Sequence, residues 1–149
     1  MKTNSISLSE KFGIDAAERA RRMSFINLTD KDVALLRELY PMMKQNVDSI
    51  VTQFYDQLLK HEEARAFFPD QAMLEHVKET QREYLLDLCR GDFDDSYFER
   101  RLQIGVVHER IGLVPKWYIG SFTRLYRKRQ SHHISLHIIQ TISFSIKGY

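Results

Sequence analysis

Apolar side chains recur three and four positions apart through most of this chain, the period of amphipathic α-helices, and only six Gly and three Pro interrupt the pattern. The spacing predicts a short first helix from about Ala16 to Met23. Thr29 is placed to cap a second, with Asp30 and Asp32 favourably set in its first turn. The core face of that helix is Val33, Leu36, Leu39 and Met43, and Pro41 marks a kink or an end. A third helix turns Val47, Val51, Phe54 and Leu58 inward. HEEARAFFP forms a short connector stopped by Pro69. The next helix runs from near Gln71 to Leu88, with Met73, Val77, Tyr84 and Leu88 on one stripe and Gly91 beyond its end. Another begins between Asp94 and Ser96, carries Tyr97, Ile104, His108 and Ile111 on one face, and closes at Gly112. Pro115 suits the first turn of a following helix that presents Trp117, Tyr118, Phe122 and Leu125. The fold class is all-α.

Length and charge narrow the setting. A chain of 149 residues is large enough for one domain with a real core, and no repeat, low-complexity tract or long linker divides it. The net charge of +2 demands neither nucleic acid nor an anionic membrane as partner. Cys89 is the only cysteine, so no intramolecular disulfide forms, which suits a reducing cytosol. No run of 18 apolar residues occurs, and MKTNSISLSEKFG lacks the apolar core of a signal peptide. A cytoplasmic location is the expectation, without membrane or nucleic acid.

Three polar residues occupy positions where the apolar stripes call for carbon. His108 lies four after Ile104 and three before Ile111; Thr80 lies three after Val77 and four before Tyr84; Tyr55 lies four after Val51 and three before Leu58. An unpartnered polar group inside a core costs about 1–3 kcal/mol, so each requires a partner. For any one alone, a nearby carbonyl or water is the better explanation. Together, on three helices, they suggest one polar spot inside an apolar cavity. A haem whose iron takes one neutral imidazole has that need: His on one side, hydrogen-bond donors on the other. No CxxCH motif is present, so such a haem would be held non-covalently.

VVHERIGLVPKWYIGSF (residues 106–122) resembles the proximal signature of the globin-coupled sensor family, bacterial and archaeal haem domains that detect oxygen. FYDQLL matches that family's distal-tyrosine segment, KETQREY matches the helix crossing the distal face, and the separation of 53 positions from Tyr55 to His108 fits the family's layout. The resemblance spans roughly Phe25 to Tyr126. It implies a globin fold, a three-over-three helical sandwich with an extra short N-terminal helix, and haem b with His108 as the axial iron ligand. It further implies that Tyr55 and Thr80 contact the O₂ ligand and that Tyr118 reaches back to the His108 segment. Phe54, Phe68, Val77, Ile104 and Ile111 would line the macrocycle, although ordinary core packing explains them equally well. His76, four before Thr80, is the rival distal group; an edge position between Glu75 and Lys78 suits it better.

Two other clusters carry less. His132, His133 and His137 include an i, i+4 pair but lack a matching Cys or acid pair for zinc. RLYRKRQ is better read as a solvated helix end than as an RNA patch. The function implied is a sensor that binds O₂, CO or NO, with no enzymatic activity of its own. The alternatives are a nitric oxide dioxygenase or peroxidase-like globin and a haem-free signalling globin fold. The three inward polar groups weigh against the last.

The tail HHISLHIIQTISFSIKGY mixes period two (ISLHI, ISFSI) with Ile134, Ile138, Ile142 and Ile146 at spacing four. A globin offers no sheet for a strand to join, so a short, atypical final helix is expected over 131–149, with 1–24 as an N-terminal extension of a single domain over 1–149. Family members pass from the last helix into an output domain, so signalling here would need an output domain or partner protein outside these 149 residues. A homodimer is expected through Pro115–Arg127 and the Ile-rich tail, since the family pairs its last two helices.

Overall fold

The structure, a computed structural model, describes residues 6–117 and 120. Every regular element among them is helical: α1 (Leu8–Lys11), α2 (Ala16–Phe25), α3 (Asp30–Leu58), α4 (Glu62–Arg65), α5 (Gln71–Arg90) and α6 (Asp95–Arg110), after which the chain re-enters helix at Pro115. No helix among the described residues is long and apolar enough to cross a membrane.

Each start has a local cause. The Thr29 side chain accepts from the Asp32 amide while the Asp32 carboxylate accepts from the Thr29 amide at 2.8 Å, a reciprocal cap that opens α3. Asp70 and Asp94 cap α5 and α6 by accepting from the amides of Met73 and Tyr97. Gly91 ends α5 with φ of 68°. A Cβ there would also stand 3.1 Å from Val33 Cγ1 and 3.3 Å from Arg37 Nε, so both the backbone and the neighbouring helix select glycine.

The pairing of α3 with α5 builds the core, and α1 rests on α6. Leu36, Val47, Ile50, Val51 and Tyr55 of α3 meet Tyr84, Leu85, Leu86 and Leu88 of α5. This packing explains one departure from the sequence pattern. Pro41 does not separate two helices; α3 runs 29 residues straight through it. An internal proline costs roughly 3 kcal/mol, but buried side chains on both flanks, Leu36 before it and Val47 after, hold the two halves on one partner. Met73, placed on the inward stripe of α5 by its spacing, is 43 % exposed instead, because the cap at Asp70 leaves the first turn of α5 outside the core. The four-residue α1, unmarked by any periodicity of its own, is fixed by contacts made 90 residues away.

In the second half of α5 burial wraps the helix, from Tyr84 through Cys89 without a gap, and so takes in Asp87. That carboxylate accepts from Arg100 Nη2 at 2.8 Å and from Arg101 Nη1 at 3.1 Å. The Arg101 guanidinium lies between the rings of Tyr84 and Tyr97, at 4.0 and 4.2 Å from their centroids, and also donates to the Tyr84 carbonyl. A buried charge is tolerable here because it is paired, stacked and hydrogen-bonded at once.

Candidate functional site

Tyr55 and His108 occupy the last turns of α3 and α6. Tyr55 is buried, 6 % exposed, with its ring edge-on to Phe54 at 4.9 Å and to Phe68 at 5.7 Å. Phe68 arrives there because α4, seated by buried Ala64, turns the chain back; the Phe68 amide donates to the Arg65 carbonyl at 3.0 Å. Burial pushes the Tyr55 phenol well above its ordinary range, so the group stays protonated and can donate.

His108 is half-buried, one turn beyond Ile104. Burial lowers the pKa of its imidazole, which favours the neutral form, the form that coordinates metals. Behind it the helix closes: the Leu113 amide donates to the His108 carbonyl at 2.9 Å, and Gly112 takes φ of 68°. Phe54, Phe68, Val77 and Ile104 are all partly buried and pack against the apolar cluster that contains Tyr55. The structure thus sets Phe54 and Phe68 against the tyrosine and Val77 and Ile104 against the same cluster, with the histidine one turn along α6 from Ile104.

Other candidates stand differently. Thr80 is exposed, and its hydroxyl donates at 3.0 Å to the carbonyl of His76, four residues back. A threonine satisfied by its own helix does not need a cavity to explain it. His76 is itself exposed, the edge position that its charged neighbours suggest. Ile111 is 45 % exposed at the C-cap of α6. Tyr118 lies outside the described residues, as do His132, His133, His137, the RLYRKRQ run and the Ile-rich tail. The segment after α6 is tied to α4, through Lys116 Nζ donating to Glu63 at 2.6 Å and the His61 ring 5.4 Å from that of Trp117.

Sequence reasoning passed over two polar groups that organise the helix carrying His108. Asp87 stood as a charge inside LLDLC, an apolar run, and that is a legible signal of a buried ion pair. Glu99 gave none: its partners, Leu8 and Ser9, are 91 and 90 residues away.

Residues 15–135 match the profile of the Protoglobin family, which takes in α2 to α6 and both candidate positions. The chain belongs to the Protoglobin family. A relative is the "Heme-based aerotactic transducer HemAT" of Halobacterium salinarum, 40% identical over 121 residues that make up 80% of this chain. Those residues are 25% of the transducer, so the chain spans about a quarter of the length of that relative. Among solved structures, the "globin domain of Geobacter sulfurreducens globin-coupled sensor" superposes with a TM-score of 0.68 over 87% of this chain and 88% of that one, at 23% identity. That likeness shows the fold of this protoglobin-family chain to be a globin fold, as the resemblance of VVHERIGLVPKWYIGSF implies.

Proposed function

We propose that this chain is a haem-based gas-sensor domain that binds O₂ reversibly at a haem b ligated by His108, and that signals through a partner or an output domain. One observation carries the reading: a buried, protonated phenol lies in one apolar cluster, and a half-buried imidazole whose neutral form burial favours follows one turn after Ile104, which packs on that cluster, in a chain related to a haem-based transducer. The residues fit the cofactor. His108 would offer one imidazole, whose neutral form burial favours, and Phe54, Phe68, Val77 and Ile104 would offer the apolar surface a macrocycle needs.

Haem supplies the iron at which a diatomic gas is held and released. The protein's part is done by its side chains. His108 offers its imidazole from α6, and Ile104, one turn earlier, is placed to flank the ring. Phe54, Phe68 and Val77 exclude water, which strengthens any hydrogen bond made inside. Tyr55, steadied by its two phenylalanine neighbours, donates to the polar end of the ligand. Thr80 is assigned the smaller share, because its hydroxyl must leave the His76 carbonyl to take part. Tyr118 completes the His108 side in this reading. The single domain over 1–149, the homodimer through Pro115–Arg127 and the tail, and binding of CO and NO belong to the same proposal, as does a cytoplasmic location.

The test is spectroscopic. Purified protein supplied with haem is expected to show a five-coordinate ferrous form that binds O₂ and CO, and His108→Ala is expected to lose or loosen the haem. A chain that takes up no haem, or His108→Ala with the native Soret band and affinity, overturns the reading. Tyr55→Phe removes a hydrogen bond of about 1–2 kcal/mol, so O₂ dissociation is expected to quicken roughly five- to thirtyfold. CO, less polar when bound, responds less; equal effects on both gases would point to a steric role.

A further inference from the structure

The N-terminal stretch before α3 is tied by polar contacts to one face of α6. The Glu99 carboxylate accepts three hydrogen bonds from it: the Leu8 amide at 2.7 Å, the Ser9 amide at 2.8 Å and the Ser9 hydroxyl at 2.7 Å. One turn earlier on α6, Asp95 pairs with Arg19 of α2 at 2.5 Å, and the same guanidinium lies 6.0 Å from the Phe98 ring centroid. Arg19 also donates to the Ile14 carbonyl at 3.0 Å and so stiffens the joint between α1 and α2. Full burial of apolar side chains is rare in this stretch. Neither α1 nor α2 buries a residue, and Ile14, 3 % exposed in the joint, is the one core residue before α3 among those described.

An element whose helices bury no residue fully and which one many-bonded carboxylate anchors opens at low free energy and as a unit. Its anchors, Asp95, Phe98 and Glu99, occupy the first two turns of the helix whose last turn holds His108. Nine residues separate Glu99 from His108 along one continuous helix, roughly 13–14 Å, so a restraint at one end acts on the same rigid body as the other.

We propose that residues 6–25 form a detachable arm, latched by Glu99 to the His108 helix, and that latching and gas binding are coupled. The coupling rests on the gas-sensor reading above; the latch does not. A clamp on α6 resists any shift that ligand capture asks of its imidazole, so the latched form has the lower gas affinity and release raises it. Linkage then requires the converse: gas binding loosens the arm by the same factor. The occupant of the α6 face is the chain's own arm, and the signal available to a partner is the arm's release.

Ser9→Asp tests this without altering α6, since it sets a second carboxylate against Glu99; Glu99→Gln is the companion variant, and Arg19→Ala removes the other anchor. Amide hydrogen exchange on the full chain reads the latch with or without haem. Exchange over residues 8–25 is expected to quicken about tenfold or more in Ser9→Asp, with α3 and α5 unchanged. Unchanged exchange in both Ser9→Asp and Glu99→Gln overturns the latch, and loss of protection throughout the core would show a structural role instead and overturn it too. In haem-loaded protein, O₂ dissociation is expected to slow about threefold or more in the released variants, within the usual range of coupling energies. An unchanged or faster rate, with the arm shown to be free, overturns the coupling. If no haem is taken up by any form, the gas-sensor reading and the coupling fall together, and the exchange measurement still decides the latch.

Discussion

A tyrosine packed edge-on between two phenylalanines keeps its proton at any physiological pH, and the same surroundings that hold the proton aim it. Glu99 is the opposite case, a carboxylate held below its usual range by the Ser9 hydroxyl first and then by the Ser9 and Leu8 amides. Because the folded value is depressed, its contribution is complete above the ordinary pKa of 4.5 and is lost as pH falls through the lower, folded value. Exchange of the arm in the wild type is therefore expected to quicken as pH drops below 4.5, relative to Glu99→Gln, which lacks the titration. The difference between the two chains isolates Glu99 from Asp95 and the other acids nearby; a constant difference across that window would exclude this origin. Gly91→Ala is a purely conformational test. Its φ of 68° and the Val33 methyl 3.1 Å from the new Cβ predict a loss of about 1–2 kcal/mol in urea unfolding. At this scale the sequence was partly legible. A polar residue on an apolar stripe flagged Tyr55 and His108 because burial is what periodicity encodes. It flagged Thr80 equally, although Thr80 is exposed and bonds its own helix, since periodicity says nothing of a hydroxyl's local partner.

Among the elements, α5 and α6 are locked together by charge buried where carbon is the rule. Asp87 and Arg101 have side chains only 10 % and 5 % exposed. Asp87→Asn leaves the Arg101 guanidinium between its two tyrosines without its anionic partner, which is expected to cost about 3–5 kcal/mol. Replacing both, as Asp87→Leu with Arg101→Met, is expected to recover most of that loss; a double variant as unstable as the single would show that packing, not the orphaned charge, sets the penalty. The start of α3 was legible because Thr29 is a short acceptor just ahead of a periodic segment, and those of α5 and α6 fall where the periodic spacing begins, behind caps at Asp70 and Asp94 that only the structure shows. The continuity of α3 was not. Pro41 is a local stop signal, and what overrules it is burial against α5, a contact between segments that one-dimensional spacing cannot see.

For the whole molecule, the fold is the most legible feature and the arm the least. Amphipathic segments of globin-like length and the VVHERIGLVPKWY signature point to the globin fold that the superposition shows. The arm has a helical period over Ala16–Met23 but no motif that points to α6, and its place is set by a glutamate far along the chain. That separation has a consequence in time. The α3–α5 pair joins neighbouring stretches of chain, whereas the Ser9–Glu99 contact closes a loop of 90 residues. Contacts of high sequence separation follow local ones, because their closure entropy is met only once the intervening chain is ordered. During synthesis at about 5–20 residues per second, Ser9 leaves the ribosome roughly 5–18 s before Glu99 does. The nascent arm spends that interval without its α6 anchors, so the stretch of the described chain that is translated earliest is the one that settles last.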